Sequence, residues 1–266
     1  MQIPDISSWP IDNTATALIT SDAITTTGDQ DKVFELASVT KVLAAYGFLI
    51  AVEEGVFELD EEVSGHNVRQ LLAHASGVGF KESDPQKPPL KRRIYSSYGY
   101  EILAQEVYER SGIPFAEYLD EAVFAPLGMR NSELWGSAGH EARSTAADVS
   151  KFAQEILDPQ LLAPQTLREA MSVQFPELSG IVPGYGMQKP CPWGLGFEIK
   201  GEKSPHWTGS SLPAQTIGHF GQAGTFLWAL PEKGAAMVFL GDRAFGDWVK
   251  PYWDELNTAI GKQLLD

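Results

Sequence analysis

The sequence ASVTK at residues 37–41 and the run VLAAYGFLIAV at 42–52 decide the fold of this chain. The run carries no charge and ends shortly before Gly55, a residue suited to the left-handed position just past a helix. A helix that is apolar on every side must be buried, and eleven residues are too few to cross a bilayer, which needs about 20. We therefore predict a central core helix with Ser38 and Lys41 in its first turn.

Ser38 and Lys41 are three residues apart, so on a helix they share one face, with Cβ atoms roughly 5–6 Å apart. Burial lowers the pKa of a lysine because it disfavours the charged amine. A neutral amine beside a serine hydroxyl can act as its base. The pattern alone is also typical of a capping serine and a lysine whose stem lies along the core. Other parts of the chain must choose between these interpretations.

Composition limits the classes of function. The chain has 266 residues, 43% of them hydrophobic, which suits one large domain or two interleaved ones. A formal net charge of −15 argues against nucleic-acid and membrane partners, which select basic surfaces. Cys191 is the single cysteine, so we expect no internal disulfide, no metal site and no cofactor. Residues 1–5 lack the features of a signal peptide, and we expect a cytoplasmic location.

Strand-like segments lie at both ends of the chain, and helix-like segments lie between them. Strands are predicted at 14–20, 23–27, 193–199, 216–220, 225–230 and 235–240, and helices at 68–75, 98–111, 114–124, 163–173 and 245–265. This order predicts an α+β fold in which strands from both ends pair into one antiparallel sheet. We predict an α/β subdomain of residues 1–57 and 182–266, an all-helical subdomain of 58–181, and a ligand site in the crevice between them.

Two further polar motifs follow the Ser-x-x-Lys pattern. Tyr95–Ser97 is the only place where a tyrosine is followed two residues later by Ser or Asn. His219–Gly221 is the only place where Lys or His is followed two residues later by Gly, and it lies in a predicted strand. Glycine there would allow close approach to the strand backbone. Each motif also has a plain interpretation, as a surface tyrosine or as a core histidine.

The three motifs, in this order, resemble those of the serine β-lactamase and penicillin-binding-protein superfamily. The likeness is to its class C β-lactamases, D-aminopeptidases and family VIII esterases. The segments LLAHASG at 71–77, RSTAAD at 143–148 and the hairpin at 218–243 also resemble segments of this family. The resemblance covers roughly residues 33–243. It implies a β-lactamase/transpeptidase-like fold, an α/β sandwich whose antiparallel sheet is flanked by helices, with a helical subdomain.

The same resemblance implies roles for the motif residues. Ser38 is the nucleophile that forms an acyl-enzyme, and Lys41 takes its proton or orients it. Tyr95 relays a proton to the leaving group, and near Lys41 and a cationic His or Lys its phenolate becomes easier to reach. The backbone N–H groups of Ser38 and Gln222 form the oxyanion hole.

Three departures from the family pattern bear on the substrate. Ser97 stands where Asn is usual, and Phe220 stands where Thr is usual. His219 replaces the Lys of β-lactamases and is mostly neutral at pH 7, and Gly221 completes the motif. A substrate carboxylate thus loses two contacts, so we predict an esterase or a peptidase/amidase acting on a small ester, amide or short peptide, with weak β-lactam hydrolysis as a side activity.

Two alternatives stay open. The first is a catalytically silent protein that binds a ligand or a partner in the same crevice, and the second is a true β-lactamase or D,D-carboxypeptidase. The sequence does not specify the oligomeric state.

Overall fold

The computed structural model describes residues 1–265 and shows helices packed on an antiparallel sheet. The helices are α1 (Thr40–Glu53), α2 (Val68–Leu72), α3 (Tyr98–Ser111), α4 (Phe115–Leu119), α5 (Ala146–Leu157), α6 (Pro164–Ala170) and α7 (Lys250–Leu265). The strands are β1 (Thr14–Ile19), β2 (Ile24–Gly28), β3 (Val33–Glu35), β4 (Glu62–Val63), β5 (His66–Asn67), β6 (Glu133–Leu134), β7 (Ala142–Thr145), β8 (Gly180–Val182), β9 (Gly186–Gln188), β10 (Glu198–Ile199), β11 (Ile217–Gly221), β12 (Thr225–Leu230) and β13 (Ala235–Gly241).

The main sheet joins the two ends of the chain. Its strand order is β10-β11-β12-β13-β1-β2, and every neighbouring pair is antiparallel. The pairing of β1 with β13 runs from Thr14 opposite Gly241 to Ile19 opposite Ala236. This confirms the predicted α+β fold with an antiparallel sheet built from both ends.

Helix α1 occupies the core, as its uniform apolar character predicts. Every residue from Thr40 to Ala51 is buried. Phe48 stacks on Phe115 of α4 with ring centroids 4.3 Å apart. Tyr46 packs edge-on against Phe152 of α5 at 5.2 Å. Since neighbouring elements cover the helix on all sides, its first turn is held rigidly.

The prediction that residues 58–181 are all helical is wrong. The segment also contains the short strands β4 to β7, and β7 pairs with β3 from the N-terminal part of the chain. Its helix α5 packs on β1 and β13 of the main sheet, because Val149, Phe152 and Ile156 form a buried apolar face. Thr145 begins this helix by accepting a hydrogen bond from the Asp148 N–H at 3.2 Å. The division into two subdomains stays a prediction.

The segment 193–199 is strand only at its end, where β10 pairs with β11. A Cβ at Gly196 would lie 2.1 Å from the Ala45 Cβ, and Gly196 has φ +89°. The loop therefore packs directly on α1 instead of extending the sheet. Helix α7 begins at Lys250, five residues later than predicted. None of the helices in residues 1–265 has the length and apolar character that a membrane crossing requires.

Candidate active site

Ser38 lies in the 3-10 turn Ala37–Val39, directly before α1. Ala37 has φ 45°, a left-handed conformation that is unusual for a residue with a side chain. Strand β11 holds this turn closely: a Cβ at Gly221 would lie 2.3 Å from the Leu36 carbonyl oxygen. The Thr225 hydroxyl donates to that same oxygen at 2.9 Å. Gly221 is thus the residue that lets the third motif approach the serine turn.

Lys41 is completely buried behind Ser38. Its Nζ donates to Ser97 Oγ at 3.0 Å and to the Gly139 carbonyl at 2.7 Å, and it lies 4.5 Å from the centre of the Tyr95 ring. Burial lowers the pKa of Lys41 to about 7. In residues 1–265 no hydrogen bond joins Lys41 Nζ directly to Ser38 Oγ. The amine therefore contacts Ser97 of the second motif, and Gly139 is a contact that the sequence did not indicate.

Tyr95 and His219 face one another across the site. The Tyr95 hydroxyl lies 3.2 Å from His219 Nε2, and His219 Nδ1 lies 2.6 Å from the Phe220 carbonyl oxygen. Because a carbonyl only accepts, Nδ1 carries the proton and Nε2 accepts from the phenol. Burial, together with the charge of Lys41, lowers the pKa of His219 to about 4. His219 is therefore neutral near pH 7, as expected from the ordinary pKa of histidine.

The Tyr95 phenol is neutral as well. Burial raises the pKa of Tyr95, and the nearby Ser38 hydroxyl only partly opposes this rise. An accessible phenolate, which the resemblance implied, does not fit this environment. Of the three motif groups, Lys41 is the one whose pKa lies near neutral pH, as a general base requires.

The loop that carries Tyr95–Ser97 is fixed from both sides. The Ser96 N–H donates to His74 Nδ1 at 3.2 Å, and the Ser96 hydroxyl donates to the Gly79 carbonyl at 2.6 Å. The Ser97 N–H donates to the Phe80 carbonyl at 3.2 Å, just before α3 begins. Backbone and buried side-chain contacts thus set the positions of Tyr95 and Ser97.

A cavity of about 250 Å³ opens over these groups. It is lined by Ser38, Phe80, Tyr95, Pro183, Trp193, Glu198, His219, Phe220 and Gln222. Lys41, Ser97 and Gly221 lie behind this wall and not in it. Hollows of about 550 and 520 Å³ lie elsewhere on the described chain, but neither is lined by a predicted site residue.

The two groups predicted for the oxyanion hole meet at this cavity. Ser38 and Gln222 both line it, and the Phe245 N–H holds Gln222 by donating to its carbonyl at 2.8 Å. Preorganised backbone N–H groups stabilise an oxyanion without reorganisation during the reaction. The hole itself stays a prediction.

Glu198 is a part of the cavity wall that sequence reasoning missed. Its carboxylate is buried and accepts hydrogen bonds from Lys203 Nζ at 3.0 Å, His206 Nε2 at 3.0 Å and Trp207 Nε1 at 2.9 Å. Burial alone would raise the pKa of Glu198, but Lys203 and His206 hold it well below its usual value. The wall therefore contains a carboxylate whose charge is balanced by Lys203. No motif links these positions.

Trp193 also lines the cavity and was not predicted as a site residue. It is buried, and its indole N–H has no hydrogen-bond partner within the described residues. In residues 1–265, no group of three or more His, Cys, Asp or Glu side chains is placed to hold a metal ion.

The chain is similar in sequence and in fold to several known proteins. Residues 22–261 match the family model described as Beta-lactamase. The crystal structure of a β-lactamase from Mycobacterium bovis is 45% identical, with a TM-score of 0.94 and 97% of each chain covered. The hydrolase EstCE1, described as having promiscuous acyltransferase activity, has a TM-score of 0.78 at 14% identity over 95% of each chain, a likeness of fold alone.

A curated relative matches over a shorter region. Penicillin-binding protein 4* of Bacillus subtilis (strain 168) is 25% identical over 140 residues, which are 40% of this chain and 31% of that protein. The chain therefore spans less than a third of that relative's length.

Proposed function

The chain belongs to the β-lactamase family of serine hydrolases, and from that premise we propose that it hydrolyses small, neutral esters through an acyl-enzyme on Ser38. The observation that carries the choice of substrate is the neutral, apolar third motif. His219 carries no charge near neutral pH, and Phe220 offers no hydrogen-bonding side chain. The cavity thus lacks a cation for a substrate carboxylate.

The proton of Ser38 passes to Lys41. A neutral amine has two N–H donors and one lone pair, and Ser97 Oγ and the Gly139 carbonyl take the two donors. The lone pair is left for the serine proton. With a pKa of about 7, close to half of Lys41 is neutral at pH 7. The bond between Ser38 Oγ and Lys41 Nζ forms when substrate binds, since catalytic hydrogen bonds often tighten only in the enzyme–substrate complex.

Tyr95 serves the leaving group. As Ser38 Oγ bonds to the acyl carbon, the carbonyl oxygen becomes an oxyanion, which the backbone N–H groups of Ser38 and Gln222 stabilise. When the ester C–O bond breaks, the departing alkoxide takes the phenol proton while the Lys41 ammonium, which lies 4.5 Å from the centre of the Tyr95 ring, returns one to the phenol oxygen, so that no free phenolate forms. Water then attacks the acyl carbon and gives its proton to Lys41. As the bond between this carbon and Ser38 Oγ breaks, Lys41 returns the proton to Ser38.

The wall of the cavity selects the acyl group. The cavity volume of about 250 Å³ lies below the range of roughly 300–1,000 Å³ that is usual for pockets that bind drug-sized ligands. Aromatic rings of Phe80, Trp193 and Phe220 suit a short apolar chain. Lys203 balances the charge of Glu198 in the same wall, so this pair supplies no free cation for an anionic acyl group.

Hydrolysis of β-lactams is the second candidate. It is favoured by the 45% identity to the M. bovis protein that is described as a β-lactamase. The fold alone does not distinguish ester hydrolysis from β-lactam hydrolysis, since one fold carries many activities.

The test is a comparison of kcat/KM for p-nitrophenyl acetate, butyrate and octanoate, a D-amino-acid p-nitroanilide and a chromogenic cephalosporin. We expect acetate or butyrate to exceed the cephalosporin by at least about 100-fold, since a lost charged contact costs roughly 3 kcal/mol. Ser38→Ala, the matched control, should turn over none of them. A preference for the cephalosporin would support the second candidate. No turnover by folded protein would leave the cavity as a binding site.

A further inference from the structure

Glu101 lies on α3, outside the three motifs, yet hydrogen bonds connect it with Lys41. Lys41 Nζ donates to the Gly139 carbonyl at 2.7 Å, and the Gly139 N–H donates to Ser137 Oγ at 3.1 Å. The Ser137 hydroxyl in turn donates to Glu101 Oε1 at 2.5 Å. The loop at 137–139 thus connects a carboxylate to the buried amine.

This loop is pressed against the start of α3. A Cβ at Gly139 would lie 2.6 Å from the Ser97 Cβ and 2.9 Å from the Ser97 Cα, closer than side chains approach one another. Glycine therefore allows the loop to place its carbonyl beside the Ser97 hydroxyl. The two acceptors of Lys41 then lie next to each other. Any force that shifts the loop changes the direction in which the lysine amine points.

We propose that Glu101 is a positioning residue for the reaction, which fixes the 137–139 loop through Ser137 and so orients Lys41. This proposal rests on the function proposed above. Glu101 is partly exposed and borders a hollow of about 550 Å³ on its other side. Its substitution therefore leaves the apolar core intact.

The charges around Lys41 single out Glu101. The titratable groups that face the amine are His74, Tyr95, Tyr100 and His219, from four different parts of the chain. His74 and His219 have lowered pKa values, and both tyrosines have raised ones, so all four are neutral near pH 7. Glu101 supplies the charge that raises the pKa of Lys41 against the effect of burial.

The variants separate charge from hydrogen bonding. Glu101→Gln keeps an acceptor for Ser137 and removes the charge, Glu101→Ala removes both, and Ser137→Ala breaks the connection but keeps the charge. Glu109→Gln is the matched control, because Glu109 is exposed two turns further along the same helix. Two quantities are measured: ester hydrolysis, and the pKa of Lys41 by NMR of lysine labelled with ¹³C at Cε. Lys41→Met assigns the Lys41 resonance.

We expect Glu101→Ala and Ser137→Ala to lower kcat by about tenfold with KM within about twofold, as a misoriented catalytic group does. Both Glu101 variants should lower the pKa of Lys41 by on the order of half a unit, whereas Glu109→Gln changes neither quantity. Unchanged kcat and unchanged Lys41 pKa in Glu101→Ala would overturn the proposal. Ser137→Ala keeps the charge, so a changed Lys41 Cε resonance in this variant reports the orientation of the amine even if the wild type turns over no ester, and the two proposals fail separately.

Discussion

The buried Lys41 amine makes the stability of the fold depend on pH. The side chain is fully buried, and its pKa is lowered from 10.5 to about 7 because burial disfavours the charged form. In the unfolded chain the same amine regains its ordinary pKa. Between these two values the unfolded chain holds one proton more than the folded chain. Stability therefore rises with pH across this window, and the contribution of Lys41 is least favourable below pH 7.

The size of the effect follows from the two pKa values. A difference of one bound proton changes the free energy of unfolding by about 1.4 kcal/mol per pH unit. From pH 7, where folded Lys41 is half protonated, to pH 9 this sums to roughly 2 kcal/mol of added stability. Lys41→Met removes the titration. The loss of its hydrogen bonds to Ser97 and Gly139 is the same at both pH values and cancels in the comparison.

The assay is urea unfolding of the wild type, Lys41→Met and Lys262→Met at pH 7 and pH 9. Lys262 is exposed on α7 and serves as the control. The stability difference between wild type and Lys41→Met should shift by roughly 2 kcal/mol in favour of the wild type at pH 9. The difference between wild type and Lys262→Met should stay constant. If the stability difference between wild type and Lys41→Met is the same at pH 7 and pH 9, within about 0.5 kcal/mol, the amine does not titrate near pH 7 and the reasoning is refuted.

Four further predictions concern the site. The kcat/KM for ester hydrolysis should rise with pH around an apparent pKa of about 7 as Lys41 loses its proton; a flat profile from about pH 5 to 9 would contradict this. Tyr95→Phe should lower kcat by about 100- to 1,000-fold with KM nearly unchanged, and a loss below about threefold would exclude the relay. His219→Lys should raise kcat/KM for the anionic cephalosporin relative to p-nitrophenyl butyrate by at least about tenfold; an unchanged ratio would show that charge at this position does not select the substrate. Gly221→Ala places a Cβ 2.3 Å from a backbone oxygen and should lower the free energy of unfolding in urea by at least about 2 kcal/mol. The control Gly246→Ala, whose Cβ would lie 3.4 Å from its nearest neighbour, should change this free energy little, and equal losses in the two variants would contradict the prediction.

The core could be predicted from the sequence because its signals are local. The uncharged run behind Ser38 can only be a buried helix, and the paired strands at both chain ends have strand-length apolar segments with turns between them. The 193–199 loop was predicted wrongly as a strand, because its apolar residues pack on α1 through Gly196. That contact joins residues about 150 positions apart and leaves no local pattern.

The motif residues were found for the same reason, and a mostly neutral His219 was expected, while the size of its pKa shift was not. Burial and the nearby Lys41 keep His219 neutral, and neither can be read from the three residues of its motif. Glu198 was missed because no motif links it to the groups that it contacts. Gly139 was missed because it acts through its backbone carbonyl, on a residue distant in sequence. The Gly139 carbonyl meets an amine 98 positions away.

The most direct test of the account is the intact mass of the protein after incubation with a fluorophosphonate, measured for wild type and Ser38→Ala. Such a probe bonds covalently to a serine whose hydroxyl is activated by a base. We predict one added phosphonyl group on the wild type and none on folded Ser38→Ala. Equal labelling of both, or no labelling of folded wild type, would contradict the claim that Ser38 is an activated nucleophile.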